Sequence, residues 1–133
     1  VACRAFLQMV VMMSPFKGQT GFKRVLNATG YSLAGLHAAF TGEAAFRQLL
    51  LVNLVLVPLA FFLDVSRVER AMMVAVCVLA LIVELLNSAV EAAIDRISLE
   101  LHPLSKNAKD MGSAAQFTAL CLIGLVWAII LLG

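Results

Sequence analysis

Long runs of apolar residues alternate with short polar segments along this chain. Charge-free runs cover residues 48–63 and 113–133, and the second is long enough to cross a bilayer as a helix. Between Arg70 and Glu84 there are only 13 uncharged residues, whereas a hydrocarbon core of about 30 Å requires around 20. A helix that crosses here must therefore continue through Glu84 and Glu91 to about Ala93. The pattern predicts three transmembrane helices.

An amphipathic helix is predicted ahead of the first span. Mostly apolar residues recur there at steps of three and four, which is helical spacing with one apolar face: Phe22, Val25, Leu26, Thr29, Leu33, Leu36 and Phe40. Lys23 and Arg24 lie on other faces and would favour anionic headgroups. We expect this helix to lie in the cytoplasmic membrane interface, with packing against the spans as the alternative.

Composition agrees with a membrane protein. Of the 133 residues, 62% are hydrophobic and 14% are charged, and the mean hydropathy is +0.99. Soluble domains are roughly 45–50% apolar and about 25% charged. One all-α membrane domain is expected over residues 20–133. The net charge of +2 gives no indication of nucleic-acid binding.

Residues 1–19 are predicted to be an N-terminal extension. Residues 1–12 form an apolar stretch with one arginine, too short to span and without the cleavage site of a signal peptide. We expect translation to begin near Met13, which the intact mass of the native protein would decide.

Basic residues predict the orientation in the membrane. Eight of the ten lysines and arginines precede the first span or lie in the second connection, and only Arg67 and Arg70 lie in the first connection. The excess predicts that the N-terminus and the second connection face the cytoplasm and that the C-terminus lies on the far side.

A polar stripe enters the second span from its cytoplasmic end. Its members stand at i, i+3, i+4, i+7 and i+11 and therefore share one helix face: Glu84, Asn87, Ser88, Glu91 and Asp95. An acid at the centre of a transmembrane helix costs on the order of 3 kcal/mol. These carboxylates need a basic side chain, a proton or a divalent cation as partner. For Asn87 alone, the alternative to a functional role is a structural hydrogen bond between transmembrane helices.

Glu43 lies at the cytoplasmic end of the first span, at the depth predicted for Glu91. Mg²⁺ favours one or two carboxylates whose shell is completed by substrate phosphates. A Glu43–Glu91 metal pair is therefore one interpretation, and a salt bridge between Glu43 and Arg47 is the other.

The second connection carries complementary charge. We expect His102-Pro103 to end the preceding element, Ser105 or Asn107 to cap the third span, and Lys109-Asp110 to fall in its first turns. A lysine near a helix N-terminus suits an anion such as a nucleotide phosphate. The sequence contains no GxxxxGK[ST], GxGxxG or HExxH motif. From spacing alone, the prediction is an acidic, metal-binding site at the cytoplasmic face.

Several segments together carry a family resemblance. They are residues 43–48 (EAAFRQ), 83–91 (VELLNSAVE), Asp95-Arg96 and 108–115 (AKDMGSAA), with 21–24 (GFKR) and 30–32 (GYS) ahead of them. Between Thr20 and Gly133 the chain resembles the bacterial diacylglycerol kinases. Leu49 departs from the family pattern where relatives often carry glutamate, and Leu101 departs where an aromatic residue is expected.

The resemblance implies a homotrimeric enzyme of the bacterial inner membrane, with an N-terminal amphipathic surface helix and three transmembrane helices per subunit. It would transfer the γ-phosphoryl group of MgATP to diacylglycerol and form phosphatidic acid. By resemblance, Glu84 is the catalytic base, and Glu43 and Glu91 are the Mg²⁺ ligands. The implied nucleotide contacts are Arg24, Tyr31, Glu43, Glu91, Glu100, His102, Lys109 and Asp110. The implied lipid-substrate contacts are Arg24, Arg47, Glu84, Asn87 and Ser113.

Two other functions remain open at this point. Undecaprenol kinases share the fold, and a small proton- or cation-coupled transporter would also use buried glutamates. The transporter interpretation leaves Lys109-Asp110 and the amphipathic helix without a role. Dependence on ATP separates the kinases from the transporter.

Overall fold

The computed structural model describes residues 21–133, which form helices and no strands. The helices are α1 (Phe22–Gly42), α2 (Ala44–Phe62), α3 (Arg67–Ile97) and α4 (Pro103–Leu132). The predicted extension over residues 1–19, with the expected start near Met13, lies outside the described residues.

The described residues divide into two compact units, 21–36 and 37–133. The described part of the first unit is the beginning of α1, and its helical conformation confirms the periodicity of the apolar positions. Those apolar side chains are exposed: Phe22, Val25, Leu26, Leu33 and Leu36. An exposed apolar stripe beside basic residues is what a helix in the membrane interface requires, and that location stays a prediction.

In the second unit, α2, α3 and α4 are long and apolar enough to cross a membrane. The spans predicted from the sequence are therefore confirmed as helices. The 31-residue α3 continues without a break past Glu84 and Glu91, as the length of a span requires. It packs against both α2 and α4. The connections at residues 63–66 and 98–102 are short, so helices that follow one another in sequence run antiparallel.

The core of this unit lies along α3, where α3 packs against α2 and α4, and it includes several small side chains. Ala60, Met73, Cys77 and Ala80 have no exposed surface. Small residues let helices approach closely, which favours van der Waals packing inside a membrane. The indole Nε1 of Trp127 donates a hydrogen bond of 3.3 Å to the carbonyl oxygen of Met73 and ties α4 to α3.

The start of α4 differs from the prediction. The expected cap at Ser105 or Asn107 is wrong, because the N-cap is His102, whose Nδ1 accepts a hydrogen bond of 3.1 Å from the backbone N–H of Leu104. Pro103 takes a first-turn position, where its fixed φ suits a helix and its missing N–H costs nothing. The His-Pro pair therefore begins α4.

Arg70 stabilises the turn between α2 and α3. The last carbonyls of a helix have no partner within the helix. The Arg70 guanidinium donates to one carbonyl oxygen in the last turn of α2, that of Ala60 at 2.9 Å, and to two in the turn that follows, those of Leu63 at 3.1 Å and Val65 at 3.3 Å. It also lies 5.8 Å from the centre of the Phe61 ring. One side chain thus holds both the end of α2 and the turn that follows.

We expect Arg70→Ala to lower the free energy of unfolding by about 3 kcal/mol, because these partly buried carbonyls would lose a charged donor. Trp127 is the sole tryptophan, so its fluorescence during unfolding in dodecyl sulfate reports the loss. Arg67→Ala removes an exposed arginine one turn earlier and is expected to cost less than about 0.5 kcal/mol. Equal losses in the two variants would contradict the assignment.

Candidate functional site

Three acidic side chains come together at one end of the helical unit. Glu84 lies on α3 and is only 4% exposed, whereas Glu43 and Glu91 are half-buried. The carboxylates of Glu43 and Glu91 are both close enough to Glu84 to interact with it electrostatically. The face of α3 that carries the polar stripe therefore meets the beginning of α2.

A break between α1 and α2 places Glu43 in this group. Glu43 is the N-cap residue of α2 and has extended backbone angles, φ −113° and ψ 110°. The Arg47 guanidinium donates to the carbonyl oxygens at the end of α1, those of Phe40 (2.8 Å) and Thr41 (3.2 Å). Within the described residues, Arg47 forms no ion pair with Glu43, so the salt-bridge alternative is not realised. Arg47 instead fixes the break in which Glu43 stands.

Asn87 lies between Glu91 and α4. Its Nδ2 is 3.4 Å from Oε1 of Glu91, a long hydrogen bond. Its Oδ1 is buried and accepts no hydrogen bond from the described part of the chain. That oxygen is directed at Gly112 of α4. Asn87 thus takes part both in the acidic site and in the contact between the two helices.

The donor set fits a magnesium ion that is shared with a substrate. Among the described residues, no three His, Cys, Asp or Glu side chains are grouped closely enough to hold a metal by themselves. Two carboxylates, Glu43 and Glu91, lie within electrostatic range of the same acid, Glu84. Mg²⁺ keeps several waters and is usually bound by one or two carboxylates together with substrate phosphates.

An open cleft of about 900 Å³ lies at the connection between α3 and α4. Four of the predicted nucleotide contacts line it: Glu100, His102, Lys109 and Asp110. Ile94 and Asp95 also line it, and they lie one helical turn beyond Glu91. The cleft therefore adjoins the acidic group along α3 and is large enough for a drug-sized ligand.

Lys109 connects the cleft to the acidic group. Its Nζ is 2.6 Å from Oδ1 of Asp95, and both side chains are partly exposed. The same ammonium lies within electrostatic range of Glu91. One turn away, Lys106 pairs with Asp110 at 2.5 Å. A cation held at the junction of the two regions suits a polyphosphate that extends from the cleft toward the carboxylates.

The remaining predicted residues lie elsewhere on the helices. Arg24 and Tyr31 belong to the first unit, on α1. Ser113 is exposed on α4 beside Gly112. Of the two departures from the family pattern, Leu49 is buried in the core and Leu101 is fully exposed at the cleft.

Two residues of the site, Asp95 and Gly112, are not among the catalytic, metal-binding or substrate-binding residues that the sequence predicts. Asp95 was part of the polar stripe, and its position one turn after Glu91 is a local signal. Gly112 meets Asn87 across two helices, so no local spacing could have indicated this contact.

Comparison with known proteins identifies the family. The profile of the family "Prokaryotic diacylglycerol kinase" matches residues 30–131. A diacylglycerol kinase of Pseudomonas aeruginosa is 78% identical over 120 residues, which cover 90% of this chain and 98% of the relative. Diacylglycerol kinases of Haemophilus influenzae and Escherichia coli K12 are each 48% identical over 112 residues, 84% of this chain, and cover 95% and 92% of those relatives. The chain therefore belongs to the prokaryotic diacylglycerol kinase family.

Proposed function

We propose that this protein transfers the γ-phosphoryl group of ATP to the free hydroxyl of diacylglycerol and releases phosphatidic acid and ADP. The observation that carries the proposal is the buried carboxylate of Glu84, held in a membrane-spanning helix next to Glu43 and Glu91. An acidic side chain inside a transmembrane helix costs free energy, and such residues are typical of functional sites. The names of the relatives supply the lipid substrate.

The cleft between α3 and α4 is the proposed nucleotide site. Lys109 would bind the phosphates, and Glu100, His102 and Asp110 would contact the rest of the nucleotide from the cleft wall. Arg24 and Tyr31 of α1 complete the proposed contacts by resemblance. Phosphoryl transfer depends mostly on positioning and charge neutralisation, which a lysine at the end of the cleft provides.

Glu43 and Glu91 are the proposed ligands of Mg²⁺. When bound, the ion would neutralise the phosphate oxygens and align the transferred group. Asn87 donates to Glu91 and so restrains the orientation of that carboxylate. Arg47 restrains Glu43 through the end of α1.

Glu84 is the proposed general base. It lies seven residues before Glu91, about 10 Å deeper along α3. A lipid hydroxyl that reaches the site from the bilayer would meet Glu84 first. The carboxylate would accept the hydroxyl proton as the oxygen attacks the γ-phosphorus. Asn87, Ser113, Arg24 and Arg47 are the proposed contacts to the lipid headgroup.

The proposal includes a location and an assembly. The distribution of basic residues supports a cytoplasmic N-terminus and a cytoplasmic α3–α4 connection, where ATP is present. Three apolar helices and the bacterial family support the inner membrane. The homotrimer rests on the resemblance to the family.

The direct test is phosphate transfer from γ-labelled MgATP to lipids in mixed micelles. Diacylglycerol and undecaprenol are offered separately to the purified protein. We expect label in phosphatidic acid and none in undecaprenyl phosphate. Label only in undecaprenyl phosphate would keep the reaction and overturn the substrate. Folded protein that labels neither lipid would overturn the kinase function.

A further inference from the structure

Asn87 of α3 and Gly112 of α4 meet at the acidic site. A Cβ built on Gly112 would lie 2.2 Å from Oδ1 and 3.3 Å from Cγ of Asn87. The first distance is far inside van der Waals contact and the second is tight. The carboxamide of Asn87 therefore occupies the space that any other residue at position 112 would fill.

The carboxamide cannot yield to a methyl group without moving its nitrogen. Oδ1 and Nδ2 belong to one planar group, so displacing the oxygen also turns the Nδ2 that lies 3.4 Å from Glu91. Rotating the carboxamide by half a turn, which exchanges Oδ1 and Nδ2, does not relieve the clash favourably. The carbonyl oxygen would then lie against the Glu91 carboxylate, and two acceptors would repel each other. The position of Nδ2 thus depends on residue 112 being a glycine, which has no Cβ.

Glu91 has no other hydrogen-bond donor among the described residues. Groups that hydrogen-bond to a metal-binding carboxylate orient it, and their loss typically weakens metal affinity 10- to 100-fold. The contact chain therefore runs from the α4 backbone at Gly112 through Asn87 to a proposed ligand.

We propose that Gly112 is a positioning residue that acts through Asn87 to set the orientation of Glu91 for a divalent cation. This inference rests on the proposed function of Glu91 as a metal ligand. Gly112 does not touch the substrates; it admits the Asn87 carboxamide between the helices. Gly124, on the same helix, has open space where a Cβ would be and serves as the matched control.

The test compares Mn²⁺ affinity, measured by electron paramagnetic resonance with a non-hydrolysable ATP analogue, in five purified proteins. We expect Gly112→Ala to weaken Mn²⁺ binding about 10-fold or more, and Gly124→Ala to change it less than about twofold. Asn87→Ala should also weaken binding, because it removes the donor. In the double variant, Gly112→Ala should add less than about twofold to Asn87→Ala, since the new methyl no longer meets the carboxamide.

Two affinity results would overturn the inference: Gly112→Ala that binds Mn²⁺ as the parent does, or losses that multiply in the double variant. If Gly112→Ala does not fold, recovery of folding in the double variant supports the steric contact, and an unfolded double variant overturns it. The measurement uses neither lipid nor turnover. A parent protein that binds Mn²⁺ but phosphorylates no diacylglycerol would therefore refute the proposed function separately.

Discussion

Glu84→Gln is expected to lower kcat for diacylglycerol phosphorylation by about a thousandfold, because the amide is nearly isosteric with the acid but cannot accept the hydroxyl proton. Glu84 does not line the cleft, so the KM for ATP should change little. Initial rates at varied ATP in mixed micelles separate the two constants. This split distinguishes a lost base from a disturbed nucleotide site.

Glu69→Gln is the matched control for this experiment. Glu69 lies in the first turn of the same helix, where its carboxylate accepts a hydrogen bond of 2.8 Å from the backbone N–H of Ser66 in a capping box. Glutamine also serves at this position of a capping box. We expect Glu69→Gln to keep kcat within about twofold. Near-normal turnover of Glu84→Gln would refute the role of Glu84 as the base.

Lys109→Met is expected to lower kcat/KM for ATP by about 100-fold. Removal of one preorganised donor from a site of developing charge typically costs 10² to 10³ in rate. Methionine keeps most of the length of the side chain and removes only the charge that Asp95 and Glu91 face. Initial rates at subsaturating ATP measure the loss directly.

The control for Lys109 removes one positive charge elsewhere. Arg67→Met changes the net charge equally, at the beginning of α3, the opposite end from the cleft. We expect it to keep kcat/KM within about twofold. A comparable loss in both variants would mean that Lys109 acts through the overall charge and not through contact with the nucleotide.

The membrane spans were predictable because the bilayer imposes a length on them. The uncharged run between Arg70 and Glu84 is too short to cross a bilayer, so the helix was expected to continue through its acidic residues, and α3 does so. The N-cap of α4 could not be predicted from side-chain preference. Serine and asparagine are preferred at N-caps, which favoured Ser105 or Asn107 over His102. The rigid ring of Pro103 made His102 the cap instead.

The acidic site was predictable only along α3, where helical spacing puts Glu84, Asn87 and Glu91 on one face. Contacts between helices followed no local spacing. The contacts of Arg47 depended on where α1 ends, because its guanidinium donates to carbonyl oxygens in the last turn of that helix. The contact between Asn87 and Gly112 depended on how closely α4 approaches α3. Asn53 interrupted an apolar run in the sequence, and the structure buries it with its Nδ2 on the carbonyl of Leu49.

The length of α3 makes membrane thickness a variable of the proposed reaction. Its 31 residues extend about 46 Å, well beyond a hydrocarbon core of about 30 Å. Glu84 is fixed on this rod, 13 residues before its end at Ile97, whereas the hydroxyl of diacylglycerol stays near the headgroups. Hydrophobic mismatch and tilt decide how much of the rod is immersed. Lipids with longer or shorter acyl chains are therefore expected to shift the depth of Glu84, the proposed base, relative to the hydroxyl, and so to change the rate of phosphorylation.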